Sequence, residues 1–298
     1  MKLVFRFLAW LPLRANHALG GFLGRLAFAL PTSFRRWTLE NLRASGLCTD
    51  EADVRRMARE NAAEIGKGAT ELAHALFRPV GEVGALVIES RGLDAVDAAH
   101  AAGRAIIFVF PHLGGYDIAG RFLWTHMPLV VMARKHKLGW LDDLLREGRL
   151  RGVEVANSNV VPANLTGVRE TMRTLKRGGA VFILPDQVPG EGEGEWSDFF
   201  GRPAYTMTLV HRLQQRSKAL LVFGYAERLS DGRGFHLHLE PMRDPLPDDR
   251  TEAARALNAQ VEALVRQCPG QYLWGYNRYK RPRGAPAAPL ASSTGARK

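Results

Sequence analysis

Apolar and polar positions along the chain follow two periods, one typical of helices and one typical of buried strands. Residues 50–77 repeat apolar side chains at helical spacing, from Val54 to Leu76, behind a capping residue at Thr49 or Asp50. Residues 105–110 instead form a continuous apolar run, which is typical of a strand buried on both faces. Beyond this run, helical and strand-like segments alternate along the chain, which predicts an α/β fold.

The alternation predicts a full set of elements. We predict helices over residues 50–77, 93–102, 118–125, 138–150, 166–176, 207–216 and 251–267. We predict strands over residues 83–88, 105–110, 129–132, 153–155, 180–184, 220–226 and 235–240, the last of them antiparallel. Together they indicate a mixed, mostly parallel central sheet flanked by helices. The alternating glycine and glutamate residues of 190–195 predict a flexible acidic loop.

The first thirty residues are largely apolar, but basic residues recur throughout them. Arg6, Arg14 and Arg25 interrupt the apolar stretches, so none reaches the roughly 18 uncharged residues of a clear transmembrane helix. No Ala-x-Ala site of the kind that ends a signal peptide follows. We therefore predict a membrane-associating helix over residues 1–30, either interfacial or a short tilted anchor. A soluble helix that covers the core is the alternative.

The remainder of the chain divides into a folded domain and a tail. Residues 31–281 hold the alternating elements and form the predicted globular domain. Residues 282–298 are low in aromatic side chains and rich in Pro, Ala and Ser, which predicts a disordered basic tail.

The net charge of +11 is concentrated at the two ends of the chain. Residues 1–43 carry seven Lys and Arg against one acid, and residues 278–298 carry six against none, so the rest has a net charge of −1. This distribution argues against a nucleic-acid groove across the domain and fits ends held at an anionic membrane surface. Cys48 and Cys268 lack the spacing of a metal site, and we predict neither a metal nor a cofactor.

The candidate chemistry lies directly after the buried strand, in the segment Phe-Pro-His-Leu-Gly-Gly-Tyr-Asp of residues 110–117. His112 and Asp117 are five residues apart, and Gly114 and Gly115 between them let the backbone turn tightly and approach a ligand. A carboxylate beside an imidazole fixes its tautomer and stabilises the imidazolium that forms on proton uptake. The pair is therefore a candidate general base with its orienting partner, although a structural pair would have the same spacing.

The same segment resembles the H-x4-D/E box of glycerolipid-type acyltransferases, and its surroundings resemble the bacterial lipid A late acyltransferases, the lauroyl/myristoyl group. The similar segments run in consistent order through about residues 1–283 and are Arg35-Arg36 to Asn41-Leu42, Met132-Ala-Arg134-Lys135, Arg149-x-Arg151-Gly152, Leu184-Pro-Asp186-Gln187, Phe199-Phe-Gly201 to Thr206 and Gln271 to Pro282. Asp117 departs from the group, which more commonly has Glu at this position.

The resemblance implies that residues 31–281 form an acyltransferase domain at the cytoplasmic face of the bacterial inner membrane. It implies acyl carrier protein as the donor and a hydroxyl of a lipid A precursor or related glycolipid as the acceptor. His112 would be the general base and Asp117 its partner. Because a thioester is already activated, no covalent enzyme intermediate is needed.

Four further side chains are candidate substrate contacts. Arg134 suits a developing oxyanion or an acceptor phosphate, and Arg149 and Arg151 suit phosphate groups. Asp186 follows a second apolar strand, where a carboxylate at a sheet end often faces the site. The structural alternatives are a surface ion pair for Arg134, a solvated helix end for the other two arginines and a turn cap for Asp186.

Two alternative functions stay open at this point. The same chemistry would serve another lipid acceptor, such as lysophosphatidate, another glycolipid or an amino lipid. A protein with basic ends could also bind membranes or nucleic acid without catalysis.

Overall fold

The computed structural model describes residues 2–134, 139–152 and 159–289. The helices in these ranges are α1 Lys2–Trp10, α2 Leu13–Ala29, α3 Ser33–Ser45, α4 Glu51–Phe77, α5 Val80–Gly84, α6 Leu93–Ala101, α7 Tyr116–Leu123, α8 Gly139–Leu150, α9 Leu165–Lys176, α10 Leu209–Ser217 and α11 Arg250–Gln267. The strands are β1 Val87–Arg91, β2 Ile106–Val109, β3 Leu129–Ala133, β4 Asn159–Pro162, β5 Ala180–Ile183, β6 Gly194–Phe199, β7 Arg202–Met207, β8 Leu220–Arg228 and β9 Phe235–Pro241.

A central sheet has the strand order β1-β9-β8-β2-β5-β3-β4. The strands from β8 to β4 in this order run parallel to one another, whereas β9 and β1 run in the opposite direction. Every residue of the neighbouring strands β2 and β5 is buried, because helices cover both faces of the sheet. The predicted mixed, mostly parallel sheet is confirmed.

Most of the predicted elements are confirmed, with ends that move by at most two residues. The strand predicted over residues 83–88 is wrong in its first part: Val80 and Val83 are spaced three apart on helix α5 and pack into the core, and β1 begins at Val87. The predicted acidic loop ends early, because Gly194 begins a β6–β7 hairpin in which Glu195 pairs with Thr206. The strand predicted over residues 153–155 lies outside the described residues.

The predicted N-terminal helix is two helices, which lie against α4. The break between them consists of Leu11 and Pro12, and the carbonyl oxygen of Leu11 is 3.1 Å from Nε2 of His74 in α4. Arg78 donates from Nε to the carbonyl of Ala9 at 2.7 Å. None of the helices in the described ranges combines the length and the apolar character needed to cross a bilayer. Association of these helices with a membrane stays a prediction.

The beginning of the predicted tail contacts the folded domain. Ala285 is buried, and the carbonyl of Pro286 accepts a hydrogen bond from the indole of Trp196 at 3.0 Å. Arg278, counted among the basic residues of the C-terminal end, is also buried and donates to the carbonyl of Tyr205 at 2.7 Å. Its charge is therefore withheld from any lipid surface. Residues 290–298 lie outside the described ranges.

A buried ion network joins the N-terminal helices to the sheet. Glu71 of α4 accepts from Nε of Arg228 in β8 at 2.6 Å and from Nη2 of the same guanidinium at 2.5 Å, and it also contacts Nε2 of His17 in α2, at 3.0 Å. Glu64, two turns earlier on the same face of α4, accepts from Nη1 of Arg228 at 2.9 Å. Burial would raise the pKa of Glu71, but the charge and hydrogen bonds of Arg228, supported by His17, lower that pKa to about 2. The ionised form is thus the stable one in the fold.

We expect Glu71→Gln to lower the free energy of unfolding by about 3–5 kcal/mol at pH 7, because the substitution removes the buried negative charge that Nε and Nη2 of Arg228 face and leaves only Glu64 to offset the guanidinium. The folded-state pKa of Glu71 lies below its unfolded value, so its contribution is present above about pH 4.3 and is lost as the pH falls toward 2. Urea unfolding over this range should show the gap between wild type and variant closing as the pH falls. A variant as stable as wild type at pH 7 would contradict the role of the network.

Glu51→Gln is the matched control. Hydrogen bonds from Arg43, with a smaller contribution from Arg55, lower the pKa of Glu51 to about 2 as well. This carboxylate is exposed, and solvent screens its ion pairs, so we expect little change in unfolding.

Candidate active site

The register of two parallel strands brings His112 and Asp186 together. Val109 of β2 is paired with Ile183 of β5, and each strand is followed by an apolar residue and then by proline. His112 and Asp186 are each the third residue beyond that pair. Because the strands are parallel neighbours, both side chains emerge at the same carboxyl edge of the sheet, where ligands bind in open α/β sheets.

Both oxygens of the Asp186 carboxylate accept hydrogen bonds from His112. Oδ2 accepts from the backbone N–H at 2.9 Å, and Oδ1 lies 2.7 Å from Nδ1 of the ring. Since an ionised carboxylate only accepts, the ring proton sits on Nδ1 and the lone pair on Nε2. The side-chain nitrogen of Gln187 lies 3.2 Å from Nε2 and donates to that lone pair. The imidazole is therefore held in the tautomer that a general base requires.

Burial and the neighbouring His112 shift the pKa of Asp186 in opposite directions. Desolvation would raise the pKa of this carboxyl, but the charge and the two hydrogen bonds of His112 outweigh it, and the net pKa is lowered. Burial also raises the pKa of Tyr272, and the nearby Asp186 charge raises it further. The site thus combines an ionised Asp186 with a neutral phenol.

The expected contact between Asp117 and the imidazole is wrong. Asp117 lies in the first turn of α7, and its Oδ1 accepts from Nε of Arg149 in α8 at 2.9 Å. Burial would lower the pKa of Arg149, but the Asp117 carboxylate more than compensates and raises it. After the two glycines the chain enters α7, and Asp117 lies beside α8. The register of β2 and β5 brings Asp186, not Asp117, to Nδ1 of His112.

A cavity of about 600 Å³ lies in front of His112, at the carboxyl ends of β2, β3 and β5. Much of its wall is apolar and consists of Trp124, Val131, Met132, Leu145, Val168, Phe182 and Leu184. Polar side chains also enter the wall, among them Gln187, which lies beside the imidazole, and the Asp117–Arg149 pair. An apolar cavity with a few polar groups is the usual form of a ligand site.

The structure brings some of the predicted substrate contacts to this cavity and leaves others outside it. Arg134 and Arg149 line the cavity, and Arg134 also donates to the carbonyl of Val188 at 2.8 Å. Arg151 is not among the lining residues: it donates to the carbonyl of Leu76, and its guanidinium lies over the Phe77 ring.

Asp186 has a different place from the one expected. Its side chain is buried and is not among the residues that line the cavity. Both of its carboxylate oxygens accept from His112, and contact of Asp186 with a substrate stays a prediction.

The two glycines of the loop pack against the sheet. Gly114 has a φ of +61°, and a Cβ there would lie 2.0 Å from the carbonyl oxygen of Ala226. A Cβ on Gly115 would lie 2.6 Å from the ring of Phe235. The N–H groups donate to Gln271 and Ala226, respectively, so the observed role of the glycines is close packing of the loop. Gly114 also lines a smaller cavity of about 210 Å³, and contact of these glycines with a ligand stays a prediction.

The C-terminal segment of the domain supports the His112 loop from the other side. Leu273 donates its N–H to the carbonyl of His112 at 3.1 Å, next to a bridge between Leu113 and Tyr272. Asn61 of α4 donates to the carbonyl of Tyr272 at 2.6 Å. The backbone on both sides of the imidazole is therefore fixed by hydrogen bonds.

Three features of the site were missed from the sequence. Gln187 directly follows Asp186 in the sequence, and this position makes it a neighbour of the residue that Asp186 contacts. Tyr116, whose ring meets the imidazole edge-on at 5.1 Å, lies within the His112 segment itself. The sequence did contain a sign of the contact between His112 and Asp186: strand β2 is followed by Phe-Pro-His and strand β5 by Leu-Pro-Asp.

Comparison with known proteins adds to this geometry. The family model described as bacterial lipid A biosynthesis acyltransferase matches residues 2–281. The chain is 28% identical over 280 residues to the lipid A biosynthesis lauroyltransferase of Escherichia coli K12, covering 93% of this chain and 89% of that protein. It is 27% identical over 231 residues to the palmitoleoyltransferase of the same pathway and strain, covering 77% of this chain and 73% of that protein. It is 26% identical over 263 residues to the lipid A biosynthesis myristoyltransferase of Escherichia coli K12, covering 85% of this chain and 77% of that protein.

Proposed function

The chain belongs to the bacterial lipid A biosynthesis acyltransferase family, and from this premise we propose its donor, its acceptor and its catalytic residues. It is an acyltransferase, as its relatives are named for the transfer of three different acyl chains in lipid A biosynthesis. The donor we propose is an acyl carrier protein thioester, and the acceptor is a hydroxyl of a lipid A precursor. The observation that carries the mechanism is the fixed tautomer of His112 at the wall of an apolar cavity.

His112 is the proposed general base. The acceptor hydroxyl replaces the Gln187 amide at Nε2 and gives its proton to that nitrogen as its oxygen attacks the thioester carbonyl. Asp186 stabilises the imidazolium that results, since its carboxylate already accepts from Nδ1. When the tetrahedral intermediate collapses, the carbon–sulfur bond breaks and the imidazolium returns the proton to the leaving thiolate. The imidazole is thereby restored without a covalent enzyme intermediate.

The arginines of the cavity wall suit the charged parts of the reaction. Arg134 is the candidate donor to the developing oxyanion or to an acceptor phosphate, because its guanidinium lies in the same wall as His112. Arg149 is the second candidate for a phosphate, and Asp117 holds it in place through the 2.9 Å ion pair. In this arrangement Asp117 acts on the substrate through Arg149, and the apolar wall receives the acyl chain.

The test of this assignment is an acyl-transfer assay with purified variants, an acyl carrier protein donor and a lipid A precursor. We expect His112→Ala to abolish transfer and Asp186→Asn to lower kcat by about 10²–10⁴-fold, because the amide permits the wrong tautomer. Asp117→Asn should cost less, on the order of tenfold and mainly in KM, since only the hold on Arg149 is lost.

The relative effects of Asp117→Asn and Asp186→Asn on kcat decide which carboxylate orients His112. A larger loss of kcat in Asp117→Asn than in Asp186→Asn would show that Asp117 is the orienting residue. Near-normal turnover by folded His112→Ala would contradict the proposed chemistry altogether. Circular dichroism of each variant provides the control for folding.

The N-terminal helices are the proposed contact with the cytoplasmic face of the inner membrane. One face of α1 exposes Leu3, Val4, Phe7 and Trp10, and one face of α2 exposes Phe22, Leu23 and Leu26. Exposed basic side chains such as Arg6 and Arg25 accompany them, which suits an anionic lipid surface. Because α1 and α2 pack on α4, this contact would hold the whole domain at the membrane.

We expect Phe7→Glu to weaken binding to vesicles that contain anionic phospholipid by about tenfold or more, since a phenylalanine contributes about 1.5–3 kcal/mol when it leaves water. Ile88→Glu is the matched control, because Ile88 on β1 is 57% exposed, as Phe7 is. Sedimentation with vesicles measures both. Equal binding by the two variants would place the membrane contact elsewhere.

A further inference from the structure

Two adjacent helices on one side of the domain carry an excess of basic side chains. The basic face consists of Arg169, Arg173 and Lys176 of α9 together with Arg212 and Arg216 of α10. All five residues are exposed, and within each helix they recur at spacings of three or four, so they share a side. The two helices pack against each other.

Little negative charge offsets this face. Glu170 is the acid within α9, where it accepts from Arg173 at 2.9 Å, and α10 has no acidic residue between Leu209 and Ser217. The chain apart from its two basic ends has a net charge of −1, so the local excess is not a property of the domain as a whole. A partner with a negative surface would be attracted here.

The basic face borders the cavity that contains His112. Leu165 and Val168, in the first turn of α9, line the cavity, and so do Leu209 and Arg212 at the beginning of α10. The face thus begins at the cavity wall and continues along both helices. A molecule bound there could pass a covalently attached chain directly into the cavity.

The composition of the face favours a protein over a lipid surface. Among the described residues, eleven large apolar side chains are strongly exposed; eight of them lie in residues 3–30, and α9 contributes Leu165. A membrane-binding surface combines apolar and basic side chains, as α1 and α2 do, whereas the face on α9 and α10 is almost purely charged. Charge without apolar area is typical of a steering surface for a soluble acidic partner.

We infer that the basic face on α9 and α10 is the docking surface of the acidic acyl carrier protein that delivers the fatty acyl chain. This inference rests on the proposed function, since it takes the carrier protein as the donor. Electrostatic docking brings the thioester to the cavity beside Arg212, and the acyl chain enters along the wall formed by Leu165 and Leu209.

The test is charge reversal at residues that do not line the cavity, Arg169→Glu together with Arg173→Glu. At low ionic strength we expect KM for acyl carrier protein thioester to rise about tenfold or more, with kcat within about twofold of wild type. Fluorescence anisotropy with labelled acyl carrier protein should show the same loss of affinity. The matched control is Arg55→Glu with Arg59→Glu, an exposed pair at the same spacing on α4, which should leave both values unchanged.

Other outcomes separate this inference from the proposed function. If wild type transfers from the carrier protein and the reversed variant has an unchanged KM and affinity, the docking surface is wrong and the proposed function stands. A variant that keeps its KM but loses binding to anionic vesicles would assign the face to the membrane and overturn the inference. A wild-type protein that takes no acyl chain from the carrier protein would instead overturn the proposed donor.

Discussion

The site depends on one carboxylate that accepts two hydrogen bonds from one residue. Asp186 binds both the backbone N–H and the ring of His112, so it fixes where the loop goes and which ring nitrogen has the proton. Asp186 is buried, and hydrogen bonds in a protein interior are electrostatically stronger than the same bonds exposed to water. Burial therefore strengthens both hydrogen bonds that hold the His112 loop. The lone pair on Nε2, the orientation of Gln187 and the position of the imidazole in the cavity wall all follow from it.

Distant parts of the chain hold this arrangement in place. The C-terminal segment binds the His112 loop through Leu273, and α4 binds that segment through Asn61. The same helix carries Glu71, whose ion pair with Arg228 fixes α4 to the sheet. Residues outside the wall of the large cavity therefore restrain His112, and the similarity to the family extends through residue 281 rather than ending at the His box.

The fold could be predicted from the sequence to a large extent, because buried strands such as residues 105–110 and amphipathic helices such as 50–77 have clear periods. The His112 partner could not, since sequence spacing favours Asp117 and nothing local states that β2 and β5 are neighbours when β3 and β4 lie between them in the chain. The ion pair between Glu71 and Arg228 was missed for the same reason: it joins positions 157 residues apart. The β6–β7 hairpin that begins at Gly194 could not be predicted, because alternating glycine and glutamate residues are typical of loops.

The molecule thus presents three distinct surfaces around one base: an apolar cavity, an apolar and basic N-terminal face, and a charged face on α9 and α10. Their arrangement supports the proposed transfer of an acyl chain from a carrier protein to a lipid acceptor. Mass spectrometry of lipid A from a deletion strain tests this most directly. We expect lipid A to lack one secondary acyl chain, and the wild-type gene but not His112→Ala to restore it. Unchanged lipid A in the deletion strain, or full restoration by His112→Ala, would contradict the assignment.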